Sequence, residues 1–286
     1  MISFNTESNQ KISIYYFLKI YRMSENVIRS LSGIVYILLL IGATLYSDWT
    51  FQLLFLFFLL TGVYEFSKLY RIPLKTAVIA TVFSLLVFYL IRTNSDLSGL
   101  LLIGLPFSAY LIADLFKNKL EIKEASYIKI LFLSGYILIP FLILLQLPFL
   151  SNTYNPFIII GIFILIWVND TFAYICGRAF GKHKLYEKIS PKKTIEGFIG
   201  GFIASVCAAC ILSIYFQYFT VTTGIISALI LSLFGTIGDL VESKFKRQAQ
   251  VKDSGNIMPG HGGILDRLDS VLFAAPFIFL MYQILL

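Results

Sequence analysis

The chain has 286 residues, of which 58% are hydrophobic and only 14% charged, with a mean hydropathy of +0.82. A soluble chain is about half apolar and a quarter charged, so this excess cannot be buried in one water-soluble core and most of the solvent must be lipid. The net charge of +7 does not point to nucleic acid, because the basic residues fall in short loops where they act as topology signals and attract anionic lipid or phosphate. Cys176, Cys207 and Cys210 make no disulfide framework, and the CxxC at 207–210 lies in an apolar helical run where packing is the favoured reading.

A membrane helix needs about 20 mostly apolar residues. The sequence predicts an all-α polytopic membrane protein with about nine transmembrane helices, near 30–47, 50–67, 75–92, 98–115, 127–149, 156–177, 195–219, 222–241 and 266–285. Residues 1–28 form a polar arm, read as cytoplasmic or interfacial, with no removable signal peptide expected. Residues 29–286 are read as a single transmembrane domain. With nine spans and the amino terminus in the cytoplasm, 22 of the 23 basic residues fall on the inner side, and only Arg92 falls outside.

The first five spans carry few charges. Glu65 and Asp114, near the inner ends of spans two and four, are read as snorkelling or packing residues, and Pro140 is expected to kink span five. The outer turns, such as Ser47–Thr50 and Thr93–Asp96, are short and suit no chemistry. The catalytic half is expected at about 156–286.

Acids inside membrane helices are costly and are functional candidates. Asp170 lies about two turns inside the end of span six. Ser190 or Thr194 is placed to cap the next helix, and with Lys192 and Lys193 they offer a phosphate cradle, as plausible on spacing as an ordinary basic loop. On span eight, Asp239, Glu242, Ser243 and Lys246 fall on one stripe, while Gly235 and Gly238 admit a close neighbour. The last span opens with Asp266, Arg267, Asp269 and Ser270. Two acidic helix faces entering from one side suit a divalent cation with oxygen ligands, Mg²⁺ above all. The competing reading is salt bridging of Asp266 or Asp269 with Arg267 or Lys246. In PGHGG (Pro259–Gly263), glycines around His261 allow a tight turn and an anion nest.

From Ser243 to Ser270 the chain reads SKFKRQAQVKDSGNIMPGHGGILDRLDS. This resembles the signature of the phosphatidate cytidylyltransferases, the CDP-diacylglycerol synthases. Ser243, Lys246, Arg247, Lys252, Asp253, Pro259, His261, Gly262, Gly263, Asp266, Arg267 and Asp269 all stand where that pattern places them. SPKKTIEG (Ser190–Gly197) and Asn169-Asp170 resemble further blocks of the same family, so the resemblance covers about 165–270.

The resemblance implies an integral-membrane enzyme of phospholipid biosynthesis that transfers CMP from CTP to phosphatidate, giving CDP-diacylglycerol and pyrophosphate. It also implies a site on the cytoplasmic face of a bacterial inner (plasma) membrane. Asp239 and Asp266 match the family's Mg²⁺ ligands; K⁺ as a second cation and a homodimer are also implied. On this reading Asp239, Asp266, Lys246 and Lys252 are catalytic. Ser190, Lys192, Lys193, Thr194, Ser243, Arg247, His261 and Arg267 bind substrate, and Asp170, Glu242, Asp253 and Asp269 support them. Rival readings are a transporter or channel, against which the charges lie to one side with no visible repeat, and another CTP-using membrane transferase.

Overall fold

The computed structural model describes residues 27–93, 95–117, 125–151, 153–216, 220–260 and 262–285. Among the described residues, nine helices are long and apolar enough to cross a membrane, as the hydropathy predicted. α1 is Val27–Tyr46, α2 Asp48–Tyr70 and α3 Leu74–Thr93. The fourth span enters as a 3₁₀ stretch, Ser95–Ile103, and continues as α4, Gly104–Leu115. The fifth is composite, with α5 Ser126–Phe132, a π-helical turn Leu133–Leu138 and α6 Ile139–Gln146. α7 (Pro156–Phe180), α8 (Ile195–Tyr215), α9 (Val221–Gln248) and α10 (Leu265–Leu285) complete the set.

Local chemistry sets these boundaries. Ser47 is the only non-helical residue between α1 and α2: its hydroxyl accepts from the Thr50 N–H, and the Thr50 hydroxyl accepts from the Ser47 N–H, both at 3.1 Å. Asn155 caps α7, its side chain accepting from Phe157 N–H at 3.1 Å, with Pro156 pre-set for the first helical position. Pro140 has no N–H to give to the helix, and the π turn ends just before it, so span five absorbs its proline by a change of helix type.

α2, the fifth span and α10 form the packed centre. Phe51, Phe55, Phe66, Phe141, Phe163, Phe245, Phe273 and Phe279 are fully buried there. α1 and α3 lie outside, presenting Leu31, Leu38, Ile79 and Phe83 outward, as suits lipid-facing helices. α9 and α10 run close together. A Cβ on Gly235 would lie 3.4 Å from that of Ser270, and one on Gly238 2.7 Å from the Asp269 carbonyl oxygen, so the glycines admit the neighbouring helix as expected.

Two elements differ from expectation. The loop after α7 contains a short antiparallel hairpin, β1 (Lys184–Tyr186) with β2 (Ser190–Thr194), pairing Lys184 with Thr194 and Tyr186 with Ser190. α9 runs seven residues past the expected 241 to Gln248, because its last two turns pack Phe245 against Phe66, Tyr70 and Tyr136. The polar stretch is therefore helix as far as Gln248.

Tertiary contacts sort the basic residues by end. Tyr70 reaches Gln248 (2.8 Å), Tyr186 reaches the Leu115 carbonyl (3.2 Å), and Lys244 pairs with Asp114 (3.0 Å). Ser32 donates to the Pro259 carbonyl (3.0 Å). The start of α1, the α2–α3 turn, the end of α4, the hairpin and the α9–α10 loop thus share one end. Arg92 lies at the other, bonded to Gln52 (2.8 Å) and 4.0 Å over the Phe149 ring. There it is held by specific partners, which accounts for the one basic residue out of pattern.

Candidate active site at the α9–α10 end

The α9–α10 loop is fixed by two carboxylates. Asp266, at the start of α10, accepts on Oδ2 from the Ser254 N–H (2.9 Å), the Ser254 hydroxyl (2.9 Å) and the Gly263 N–H (2.7 Å). Glu65, from α2 and 2% exposed, accepts from Ile264 N–H and Leu265 N–H, each at 3.0 Å. Those amides lie at the entry to α10, where no helical carbonyl is available. Glu65 thus faces inward and does not snorkel. Gly262 has φ +84°, and a Cβ there would press on Asp266 Oδ2 and Asp253, so glycine is required.

Beside this loop lies a network of acids and cations. Lys246 bridges Glu242 on its own helix and Asp266 on α10, both at 2.6 Å. Lys193, at the end of β2, pairs with Asp239 at 2.6 Å, and the Ser243 hydroxyl donates to the other oxygen of Asp239 at 3.2 Å. Asp269 is buried between them, accepting from its neighbour Ser270 N–H at 2.7 Å. It feels the charges of Asp239, Asp170, Lys246 and Lys193, and Asp170 in turn feels Lys193, Asp239 and Arg267. The salt bridge between Asp266 and Lys246 considered from sequence is present, and the acids still outnumber the cations.

The remaining sequence-selected residues divide clearly. Thr194 caps α8, accepting from Gly197 N–H at 3.1 Å. Ser190 instead sits in β2 paired with Tyr186. Lys192 is exposed on the hairpin and Arg247 is exposed in the last turn of α9. Lys252, Asp253 and Arg267 line a pocket in the loop. His261 lies outside the described residues. His183, at the surface, binds Glu196 at 2.6 Å.

The donor set fits a hard divalent cation of the kind the sequence suggested. Asp170, Asp239, Glu242, Asp266 and Asp269 face Lys193, Lys246 and Arg267, and the buried Oε1 of Glu242 has no hydrogen-bond partner among the described residues. Among those residues no three Asp, Glu, Cys or His side chains converge into a ready-made metal cage. A cation held by these acids would need phosphate and water to complete its shell. Asp239, its side chain 35% exposed, is open to a ligand and paired with Lys193.

Membrane-spanning helices that gather acids, lysines and a glycine-rich loop at one end define an integral-membrane protein built to handle anionic reactants. The sequence profile of the cytidylyltransferase family matches residues 27–285, and the chain belongs to that family. It is 42% identical over 183 residues to the phosphatidate cytidylyltransferase of Staphylococcus saprophyticus, covering 64% of this chain and 68% of that protein. It is 55% identical over 116 residues to the enzyme of the same name from Staphylococcus aureus, and 53% over 115 residues to that of Staphylococcus haemolyticus. These two matches cover 40% of this chain and 44% of each relative.

Proposed function

We propose that the protein transfers CMP from CTP to phosphatidate, forming CDP-diacylglycerol and pyrophosphate, at the cytoplasmic face of a bacterial plasma membrane. The observation that carries this reading is the meeting of α9 and α10. There, acids outnumber cations beside a glycine-rich loop, within a family whose relatives are named for this reaction.

An oxygen of the phosphatidate phosphate attacks the α-phosphorus of CTP. A new P–O bond forms, and the bond from the α-phosphorus to the bridging oxygen breaks, releasing pyrophosphate. The nucleophile is already an anion, so no strong base is needed, and the task is positioning and charge neutralisation. Mg²⁺ held by Asp239, with Asp266 and Asp269 beside it, would neutralise the triphosphate and the charge of the leaving pyrophosphate.

Lys193 and Lys246 are held at carboxylates of the network, and would neutralise phosphate charge where a cation takes over those carboxylates. Ser243 orients Asp239. Lys252 and Arg267 neutralise phosphate charge from the loop, and Lys192 and Arg247 extend the basic rim. Asp266 fixes the loop through Ser254 and Gly263, so its metal role and its structural role share one side chain. Glu65 acts through the loop and is a positioning residue.

The test is product analysis. Purified protein in mixed micelles of detergent and phosphatidate receives Mg²⁺ and CTP labelled at the α-phosphorus. The expected result is label in the lipid extract and pyrophosphate in the aqueous phase. Label confined to CDP, with phosphorylated lipid formed from γ-labelled CTP, contradicts the proposal and assigns a lipid kinase.

A further inference from the structure

A pocket of about 480 Å³ opens between the start of α1 and the α9–α10 loop. Among the described residues its walls carry three cations, Arg29, Lys252 and Arg267, and one acid, Asp253. Two of the cations belong to the loop. Arg29 comes from α1, more than 220 residues earlier in the chain, and by sequence it serves only as one more topology charge. The structure gives it a specific seat. A Cβ on Gly260 would lie 2.6 Å from Arg29 Cγ and 3.4 Å from its Nε, so the arginine stem lies across the glycine turn. Ser32, one turn further along α1, donates to the Pro259 carbonyl at 3.0 Å and ties the helix to that turn. Gly260 and Gly262 have φ +73° and +84°, a backbone that only glycine adopts without strain.

Topology needs basic residues on one side of the membrane; it does not need three of them around one cavity. Asp253 offsets part of their mutual repulsion, and a bound phosphate would offset more. Arg267 also acts electrostatically on Asp170, so the pocket adjoins the acid network. Its third wall is α1, a helix that presents Leu31 and Leu38 to the lipid. The cavity therefore borders a helix with an outward apolar face.

Resting on the reaction proposed above, we infer that this pocket binds a phosphate group of one of the two reactants, and that Arg29 is a substrate-binding residue supplied by the amino-terminal half. The ligand chemistry is a phosphomonoester or polyphosphate anion, which the planar guanidinium fork of arginine matches. It reaches the pocket either as the triphosphate of CTP or as the headgroup of phosphatidate.

The experiment uses the full chain in detergent–phosphatidate mixed micelles, with Arg29→Ala, Arg29→Lys and, from the opposite wall, Lys252→Ala. CTP is varied at saturating phosphatidate, and phosphatidate at saturating CTP. Loss of one charge-assisted contact predicts a KM about tenfold higher for one reactant in Arg29→Ala, with kcat changed by less than about threefold, and a higher KM for the same reactant in Lys252→Ala, whatever its kcat. Arg29→Lys recovers part of the loss, since it keeps the charge and loses the fork. A rise for CTP assigns the triphosphate, and a rise for phosphatidate assigns the lipid phosphate. Binding is read separately, as the shift in Tm on adding CTP with Mg²⁺, or phosphatidate against phosphatidylcholine micelles. The shift for the assigned ligand is expected to fall in Arg29→Ala.

Both KM values unchanged in an active protein would overturn the pocket alone. So would a lower kcat and a lower Tm at unchanged KM, which mark Arg29 as structural. If Arg29→Ala does not fold, Arg29→Lys and Lys252→Ala decide the matter by the same two KM values. Wild-type protein that makes no CDP-lipid removes the reaction, while a ligand-specific Tm shift lost in Arg29→Ala would still uphold the anion site.

Discussion

Glu65 Oε2 accepts the backbone N–H of Leu265 at 3.0 Å, across 200 residues of chain. A carboxylate on α2 thereby does for α10 what a neighbouring serine or aspartate does for most helices. Its other oxygen takes the Ile264 N–H at 3.0 Å. Gly255 and Gly263 pack directly against the carboxylate, and the Ser254 hydroxyl lies between Glu65 (3.3 Å) and Asp266 (2.9 Å). The amino-terminal half of the protein therefore sets the position of the α9–α10 loop.

Glu65→Ala leaves two buried amides without partners, at a cost of about 1–3 kcal/mol each. The expected outcome is faster tryptic cleavage at Lys252 and turnover reduced by more than about tenfold, with helical content unchanged. Glu65→Gln, which keeps one acceptor oxygen, is expected to fall between. Proteolysis in detergent and circular dichroism on the same samples check both points. Cleavage and turnover equal to wild type would remove the positioning role.

Lys246 holds Glu242 and Asp266 together at 2.6 Å each, and Glu242 is 1% exposed. Lys246→Met removes the one cation that answers both acids. Breaking a buried pair in this way typically costs about 3–5 kcal/mol. A clearly lower Tm in detergent is expected, with partial recovery when Glu242→Gln is added to the same chain, because the uncompensated charge is then reduced. An additive loss in the double variant would mean that the two side chains act independently.

The nine spans were legible in the sequence because each is a long apolar run, and the positive-inside count fixed their number. The stripe on α9 was also legible, since spacing of three and four places residues on one helical face. What the stripe does was not. Asp239 pairs with a lysine on β2, whereas Glu242 turns with Lys246 towards α10. The roles of Glu65, read as a snorkelling or packing residue, and of Arg29, counted as a topology charge, were hidden for the same reason: their partners lie some two hundred residues away. An acid inside a 23-residue apolar helix was the one signal that marked Glu65, and it does not name a partner. The hairpin after α7 was missed because its strands are three and five residues long, too short for an alternating pattern to register.

The basic end of the protein is proposed to face the cytoplasm. With Cys176, Cys207 and Cys210 replaced, Val251→Cys is expected to resist an impermeant maleimide in intact cells and to react after permeabilisation. Trp49→Cys, exposed at the other end, is expected to react in intact cells. The reverse pattern would invert the topology.

Asp239→Asn is the sharpest probe of the proposed cation site between α9 and α10. Asp239 is partly exposed and does not clamp the loop, so its loss should spare the fold, whereas Asp266 is also structural. Turnover of CTP and phosphatidate is to be measured across a Mg²⁺ titration, alongside Tm and CTP-dependent Mn²⁺ binding. Expected are turnover reduced by more than about a hundredfold, loss of CTP-dependent metal binding and a Tm close to wild type. Near-normal turnover with unchanged Mg²⁺ dependence would contradict that cation site.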